Sequence, residues 1–373
     1  MQQISITKVT TRILELPVKA VHSHGSGDIS VMKTLIVQID TDAGITGYGE
    51  ASPWSVFTGT AEGNAAAIDV YYKPFLLGAD PFQVERLLFL AEREVVHCSE
   101  ARAAIETALL DIKGKAFNCS VSDLIGGACH GEIPLSFSVA NPNFDEDLET
   151  IAELVKDGVR IFKFKTGFAK HEFDVMRFEK LRELYGETLD LRVDYNQGMQ
   201  PFESIQRIKD LEPFSPTFVE QPVLATEREA MAEITRAVNC PIMADESVFN
   251  VRDALTMIQL RGANIFSLKI MKSGGIRRAQ EVAAAGRAAG VACYGGCMFE
   301  TGIAHAAGAH LMNSIPYLTL GCEFYMANYY LEEDILCDPF PVKNGKVVVP
   351  TGPGLGVEPD LEKIEKYTTS VHK

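Results

Sequence analysis

The chain has 373 residues, of which 46% are hydrophobic and 23% charged, a composition typical of a globular enzyme with two domains or one large barrel plus an addition. Its formal net charge of −15 and pI near 5.1 argue against nucleic-acid and anionic-membrane partners, because both favour basic surfaces. Eight scattered cysteines predict buried free thiols in a reducing cytosol rather than a structural zinc site. The chain has no apolar leader and no run of about 18 apolar residues, so we expect a cytoplasmic protein without a membrane span.

The first 130 residues are predicted to form strands followed by helices. The segment ISITKVTTRILEL alternates in polarity, and TLIVQIDTDAGITGYGE is typical of a hairpin that turns at Asp42-Ala43-Gly44. Residues 61–120 have helical spacing, and one helical stripe would contain Ala104, Ile105, Ala108, Leu109 and Ile112. This part of the chain therefore indicates an α+β unit.

From residue 134 onward, short apolar runs alternate with helical patterns. Eight runs have this form: LSFSVA (135–140), IFKFK (161–165), LDLRVDY (189–195), TFVEQP (217–222), PIMADE (241–246), IFSLKI (265–270), VACYGG (291–296) and LTLGCE (318–323). Alternating strands and helices predict parallel strands, and eight such units predict a (β/α) barrel of the triosephosphate-isomerase type. The last stretch is predicted to be a strand, a turn-rich loop and a tail that packs against the first unit.

Charged residues lie at the C-terminal ends of these predicted strands. In RIFKFKTGF (160–168), the two lysines would share one face and the two phenylalanines the other, because side chains alternate along a strand. Later strands end 24 to 26 residues apart, at Asp194, Glu220, Asp245 and Lys269, and the eighth ends at Glu323. Because one βα unit has this length, we expect the charges to meet at the C-terminal rim, where such barrels have their active sites.

Three carboxylates from adjacent strands predict a divalent cation. Asp194, Glu220 and Asp245 would repel one another unless a metal joined them, and oxygen ligands without His or Cys favour Mg²⁺, with Mn²⁺ as a substitute. A carboxylate substrate on that metal would lie between Lys165 and Lys269, and the metal would stabilise its enediolate. Like charge from the adjacent lysine of the Lys-x-Lys pair would lower the pKa of Lys165 and let it accept a proton.

Each of these signals is weak when it stands alone. A Lys-x-Lys pair often lies on the solvated face of an edge strand, and a single acidic residue after a strand is often a helix N-cap. The functional interpretation depends on the combination: the lysines and the three carboxylates occur in order at five successive strand ends.

The combined motif resembles the enolase superfamily, in its muconate-lactonising subgroup. The residues concerned are Lys163-Phe164-Lys165, Asp194 in RVDYNQG, Glu220 in VEQP, Asp245 in MADES and Lys269 in LKIMKSGG. Similar segments extend over nearly the whole chain: IETALLDIKGK, DLIGG, YGGCMFETGIAHAAGAHL, GCEF and PGLG. The resemblance implies a modified (β/α)7β barrel (131–344) and an α+β capping domain (1–130, completed by about 345–373). It also implies a homo-oligomer, since octamers are common in this subgroup.

The resemblance further implies roles for individual residues. Lys165 and Lys269 would be the acid/base pair, and Lys163 would neutralise the substrate carboxylate. Glu323 would lie near the substrate. The metal ligands would be Asp194, Glu220 and Asp245, and the supports of the site would be Asn196 and Glu246.

Two loops of the capping domain, 19–30 and 52–60, would cover the barrel mouth and select the substrate by the same resemblance. His22 and His24 in the first loop are equally consistent with a solvated loop. Trp54 and Phe57 in the second loop are equally consistent with ordinary hydrophobic packing. The segment Cys297-Met298-Phe299-Glu300 differs from the Thr-Met-Leu-Glu of muconate cycloisomerases. The residues expected to contact the substrate are His22, His24, Trp54, Phe57, Asn196 and Met298.

Two reactions would use this machinery. The first is cycloisomerisation of cis,cis-muconate or a substituted relative, with Lys165 delivering the proton. The second is 1,1-proton transfer, a racemase or epimerase reaction on N-acyl amino acids, dipeptides or related α-substituted carboxylates. Gly321-Cys322-Glu323 stands where dipeptide epimerases have Asp-x-Asp, which favours the first. A metal-free Schiff-base aldolase using Lys269 would leave the carboxylates unexplained, and an inactive binding barrel would leave the complete set unexplained.

Overall fold

The computed structural model describes residues 4–24 and 27–372, except for the side chains of 20–29 and 372. Its strands are β1 (Ile6–His24), β2 (Gly27–Thr41), β3 (Thr46–Ala51), β4 (Glu132–Pro134), β5 (Ser136–Val139), β6 (Ile161–Lys165), β7 (Asp190–Asp194), β8 (Val219–Glu220), β9 (Ile242–Ala244), β10 (Ile265–Leu268), β11 (Ala292–Gly295), β12 (Val342–Lys343), β13 (Lys346–Val348) and β14 (Thr368–His372). Its helices are α1 (Ala61–Ala66), α2 (Lys73–Leu76), α3 (Val84–Glu94), α4 (Ser99–Phe117), α5 (Val121–Leu124), α6 (Phe144–Lys156), α7 (His171–Tyr185), α8 (Pro201–Leu211), α9 (Arg228–Ala237), α10 (Val251–Leu260), α11 (Ile270–Ser273), α12 (Ile276–Ala289), α13 (Gly302–Asn313) and α14 (Leu361–Tyr367). Two π-helical turns (Ala67–Tyr72 and Met326–Tyr330) and two 3-10 turns (Gly186–Thr188 and Glu212–Phe214) also occur.

An antiparallel sheet with the strand order β14-β1-β2-β3 brings together the two ends of the chain. The predicted hairpin is confirmed: β2 and β3 pair antiparallel, and Gly44 has the positive φ of +72° that favours glycine in the turn. Helix α4 packs on β3, where a Cβ at Gly47 or Gly49 would collide with the carbonyl groups of Ala108 and Ala104. The two glycines therefore allow the helix to lie close to the sheet.

Seven parallel strands, in the order β5 to β11, form the curled sheet of a (β/α) barrel. The prediction of a regular eighth strand at 318–323 is wrong. Within this segment Cys322 alone pairs, and it forms parallel bridges with Leu135 on one side and Gly295 on the other. Gly321 has a φ of +76°, which lies outside the range of an extended strand, so a ladder does not continue through it. A single bridged residue closes the barrel in place of a strand.

The alternation predicted for β6 is confirmed. Phe164 packs against Phe178 of α7 with ring centroids 5.2 Å apart, so the phenylalanine face of β6 meets the helix layer. Lys163 lies on the opposite face and is only 1% exposed. A buried cluster fills the interior toward the start of the strands, and it contains Phe218, Met243, Ile265 and Tyr294. The packed interior leaves the C-terminal rim of the barrel available for a site.

The C-terminal segment packs against the first unit, as predicted, but it ends in a helix and a strand rather than an irregular tail. After β13 and a turn-rich loop, α14 leads directly into β14, which pairs antiparallel with β1. Asp360 caps α14 by accepting from the backbone N–H groups of Glu362 and Lys363. We propose to assign residues 1–130 and about 345–373 to the cap and 131–344 to the barrel, because the first sheet contains only strands from the two terminal segments.

His310 of α13 fastens the barrel to the cap. Its Nδ1 accepts from the Ser122 N–H at 3.2 Å, and its Nε2 lies 3.0 Å from the carbonyl oxygen of Leu355, to which it donates. Burial lowers the pKa of His310 to about 4, so the ring is neutral. His305 on the same helix is also fully buried.

All eight cysteines are free. The predicted burial is confirmed for Cys240, Cys293, Cys297 and Cys322 and is wrong for Cys129 and Cys337, which are exposed. In the part of the chain that the structure describes, no helix combines the length and the apolar character needed to cross a membrane.

Candidate active site

Lys163 lies at the centre of the predicted site. Its ammonium nitrogen is 2.7 Å from Glu220 Oε2, 2.7 Å from Glu323 Oε2 and 3.3 Å from Asp194 Oδ2. None of these four side chains is more than 5% exposed. An unpaired charge at this depth would be costly, and the three carboxylates compensate the buried ammonium group.

Lys165, two residues further along β6, faces the mouth of the barrel. Its Nζ donates to Asp194 Oδ2 at 2.7 Å and to Asn196 Oδ1 at 2.8 Å. The amide of Asn196 in turn donates to Glu246 Oε1 at 3.3 Å. Asn196 therefore holds the ammonium group of Lys165 through its side chain.

Asp245 lies between two lysines. Its Oδ2 accepts from Lys269 at 2.6 Å and its Oδ1 from Lys272 at 2.6 Å. Lys272 also donates to the carbonyl oxygens of Asp245 (2.7 Å) and Ser267 (3.0 Å), so all three of its N–H groups are used. The sequence analysis missed Lys272; its position three residues after Lys269, one turn along α11, was the available signal.

The charges of the site shift one another's pKa values. Burial alone would lower the pKa of Lys269, but the carboxylates around it, Asp245 first, raise that pKa above its ordinary value. Burial alone would raise the pKa of Asp194, but the two lysines of β6 lower it to about 2. In the protein alone Lys269 is therefore protonated and Asp194 ionised at neutral pH. A further positive charge is needed before Lys269 could accept a proton.

Left-handed backbone occurs at three non-glycine residues next to these strand ends. They are Asn196 (φ +42°), Gln197 (φ +69°) and Gln221 (φ +34°). Such conformations cost about 1–3 kcal/mol each and concentrate at functional sites. The side chain of Gln221 accepts from the Asp245 N–H at 3.0 Å, which holds the strained turn in place. Backbone strain thus coincides with the ends of β7 and β8.

The donor set suits a hard divalent cation. Asp194, Glu220 and Asp245 supply carboxylate oxygens at the ends of three adjacent strands, β7 to β9. Glu220 Oε1 and Glu246 Oε2 are buried and have no hydrogen-bond partner among the residues that the structure describes. Within 4–24 and 27–372, no three acidic, His or Cys side chains form a ready-made metal cluster, and lysine ammonium groups lie beside the carboxylates instead. The residues fit Mg²⁺ or Mn²⁺ by their donor chemistry and by these unpartnered oxygens.

A narrow cavity of about 40 Å³ lies at the rim among these residues. From the predicted set it is lined by Lys165, Lys269, Asn196, Met298, Glu323 and Trp54. The sequence analysis missed Ser138, which lies in register with Lys163 on the neighbouring strand β5. Cys297, Phe299, Tyr325 and Met326 also line the cavity and were not among the residues expected to contact the substrate. Lys165 and Lys269 approach the cavity from strands that β7, β8 and β9 separate, so they lie on opposite sides of it.

Of the two aromatic residues predicted to contact the substrate, Trp54 lines this cavity and Phe57 does not. Trp54 packs edge-on against Phe299, with ring centroids 5.8 Å apart. Phe57 lies beside Trp54 at 6.3 Å, and the Lys269 ammonium is 5.5 Å from its ring centroid. The side chains of His22 and His24 lie outside the described part of the chain, so their contact with a substrate stays a prediction.

Comparison with known families agrees with this geometry. Residues 6–126 match the family model described as mandelate racemase / muconate lactonizing enzyme, N-terminal domain, and residues 146–364 match enolase C-terminal domain-like. The chain belongs to the enolase superfamily. Its N-terminal match and its relatives assign it to the muconate-lactonising subgroup, as the resemblance of the motifs predicted.

Similar proteins match this superfamily member over nearly their full length. Muconate cycloisomerase 1 of Acinetobacter baylyi is 31% identical, with 96% of this chain and 98% of that protein covered. A solved muconate cycloisomerase from Azorhizobium caulinodans is 39% identical (TM-score 0.87, 98% and 99% covered). An N-succinyl Arg/Lys racemase from Bacillus cereus is 30% identical (TM-score 0.94, 99% of both chains). The protein is thus an isomerase-type enzyme of the enolase superfamily with a TIM-type barrel.

Proposed function

We propose that this enzyme is a Mg²⁺- or Mn²⁺-dependent cycloisomerase that converts cis,cis-muconate, or a substituted relative, to a muconolactone. The observation that carries this proposal is that Lys165 and Lys269 line one cavity from opposite sides of the barrel. Relatives named as muconate and chloromuconate cycloisomerases, matched over nearly their whole length, support the choice of substrate class.

The protein's own residues would bind the substrate and move one proton. Lys165, which lines the cavity, would attract the substrate carboxylate, whereas Lys163 is buried among three carboxylates and does not line the cavity. In lactone formation an oxygen of one carboxylate bonds to the conjugated diene, and the displaced electron pair is delocalised into the other carboxylate as an enolate. Lys165 would then transfer a proton from Nζ to the α-carbon, while Asn196 holds that nitrogen in position.

Asp194, Glu220 and Asp245 would hold the metal ion. When bound, the cation would stabilise the negative charge of the enolate and offset the carboxylate charge that keeps the nearby lysines protonated. Glu246, with one buried oxygen that lacks a hydrogen-bond partner, is available beside these ligands.

A racemase or epimerase is the second candidate. A 1,1-proton transfer needs one acid/base group on each face of the α-carbon, which the positions of Lys165 and Lys269 would satisfy. The similarity to the N-succinyl Arg/Lys racemase supports this candidate. Its substrates would be N-acyl amino acids, dipeptides or related α-substituted carboxylates.

An ultraviolet assay tests the first proposal directly. Purified protein is mixed with cis,cis-muconate and Mn²⁺, and the absorbance of the conjugated diene is followed with and without a chelator. We expect a metal-dependent loss of absorbance. Metal-binding protein that leaves the diene unchanged would contradict the cycloisomerase. Incorporation of deuterium from solvent at the α-carbon of an N-acyl amino acid, with loss of optical rotation, would then support the second candidate.

We further propose a cytoplasmic homo-oligomer without nucleic-acid or membrane partners. Eight free thiols support a reducing compartment, and the net charge of −15 argues against anionic partners. The oligomer follows from the resemblance alone, and light scattering after size exclusion would measure its mass.

A further inference from the structure

Glu50, the fifth residue of β3, is a buried carboxylate that reaches from the cap into the barrel. It is 1% exposed. Its Oε1 accepts from the Thr301 N–H at 3.0 Å, and its Oε2 accepts from the Thr301 hydroxyl at 2.6 Å and from the Ala304 N–H at 3.0 Å. Because these donors begin α13, a side chain of the cap caps a helix of the barrel.

The same carboxylate is held on the cap side. Oε1 also accepts from the hydroxyls of Ser52 at 2.6 Å and Thr34 at 2.9 Å. Oε1 therefore has donors on both sides of the boundary, whereas the donors to Oε2 all come from the barrel side. A carboxylate accepts bonds of this kind more strongly than a neutral group does.

Two loops that line the cavity begin or end at this junction. The loop 52–60 starts at Ser52 and contains Trp54. The loop 297–300 ends at Thr301 and contains Phe299, whose ring meets that of Trp54 at 5.8 Å. Inside the second loop, the Glu300 carboxyl accepts from the Met298 N–H at 2.9 Å, so this loop is closed on itself before it reaches Thr301.

We propose that Glu50 is a positioning residue that sets the register between these two loops and thereby the shape of the substrate pocket. It does so without touching the substrate, since the residues that line the cavity do not include it. The assignment of the cavity as the substrate pocket rests on the proposed function, whereas the mechanical link between the loops does not.

Glu50→Gln tests the link because an amide cannot reproduce the pattern of acceptors. Whichever way the amide is turned, its NH₂ group faces the N–H of Thr301 or of Ala304, and a donor then meets a donor. Trp54 is the only tryptophan of the chain, so its fluorescence reports the pocket wall directly. We expect a red-shifted Trp54 emission and a KM for the substrate that rises roughly tenfold, with a smaller change in kcat.

Glu106→Gln is the matched control. Glu106 of α4 is also fully buried in the cap, and it also accepts from the start of a barrel helix, at the N–H groups of Ile276 and Arg277 on α12. It does not line the cavity. This variant should weaken the contact between cap and barrel without changing the Trp54 emission or KM.

The outcomes separate a positioning role from a structural one. A shift in Glu50→Gln alone supports the proposal, whereas equal shifts in both variants, or none in either, overturn it. If Glu50→Gln does not fold, Ser52→Ala and Thr301→Val each remove one hydroxyl donor to Glu50 and should give a smaller shift of the same sign; unchanged emission in both would overturn the proposal. If the wild type does not convert muconate but the emission shifts as expected, the proposed function fails and the positioning role stands.

Discussion

The Lys163 ammonium nitrogen lies 2.7 Å from Glu220 Oε2, although the two residues are 57 positions apart and neither side chain is more than 1% exposed. Such a pair is stable only because further charges complete it, since desolvation of two ions costs several kcal/mol each. Glu323 and Asp194 supply those charges on the other sides of Lys163. The pair is thus the core of a network in which a change at one residue acts on its neighbours.

Lys165→Ala should remove turnover and leave the fold intact. Lys165 is the proposed proton donor, and general acid/base groups contribute about 10²–10⁴-fold to the rate. The measurement is kcat with muconate and Mn²⁺, beside circular dichroism. Lys180→Ala, at an exposed lysine of α7 paired with Glu183, is the control and should behave as the wild type. Activity of Lys165→Ala like that of the control would contradict the assigned role.

Glu220→Gln should weaken metal binding. The amide keeps one oxygen ligand but removes a charge, and Lys163 loses one of its compensating partners. We expect a Kd for Mn²⁺ at least about tenfold higher, as seen for changes around metal sites in general. Titration calorimetry gives the value, with Glu203→Gln on α8 as the comparison. Equal affinities for the two variants would remove Glu220 from the ligand set.

Gly296→Ala should displace Lys269 without straining the backbone. A Cβ at this position would lie 2.7 Å from Lys269 Cε and 2.5 Å from Ser267 Oγ, so the lysine must move. Misplacement of a catalytic group by about 1 Å costs on the order of 10²-fold in rate. Gly63→Ala, whose Cβ would meet its nearest neighbour at 3.4 Å, should keep full activity. If both variants have wild-type kcat, Lys269 is not needed at its present position.

Glu106→Gln should change how stability depends on pH. Burial raises the pKa of Glu106 to about 7, from 4.5, so the folded state binds its proton more tightly than the unfolded state does. The contribution of Glu106 to the free energy of unfolding is therefore fully present below pH 4.5 and is lost as the pH rises through about 7. Relative to the variant, the wild type should therefore lose about 3 kcal/mol over this interval. Urea unfolding at several pH values measures the free energy of unfolding of both proteins. If the two free energies change with pH in the same way, the prediction is contradicted.

The rim of the barrel could be predicted because its signals are local and periodic. Alternation along β6 assigns Lys163 to the interior, and spacings of one βα unit bring Asp194, Glu220 and Asp245 to neighbouring strand ends. Both depend only on the geometry of one strand and its following helix. The capping domain was expected from the resemblance to the family, because the alternation along its strands is ordinary for a sheet.

Other features could not be predicted because they depend on tertiary contacts. Glu50 meets Thr301 across 251 residues, and nothing in either local pattern indicates the other. The segment that forms β14 has weak strand signal, and its pairing with β1 decides its structure. The expected eighth strand was wrong because Gly321 interrupts it, which hydrophobic periodicity does not register.

The two closing contacts of the fold both join an early segment of the chain to one that is synthesised much later. Cys322 joins Leu135 to Gly295, and β14 completes the sheet that begins with β1. At about 5–20 residues per second, a ribosome would hold the chain for many seconds with the barrel open and the cap sheet lacking its edge strand. A nascent or C-terminally truncated chain would expose two sets of unpaired strand edges at once. We therefore expect it to depend on chaperones, or to aggregate, far more than the folded enzyme does.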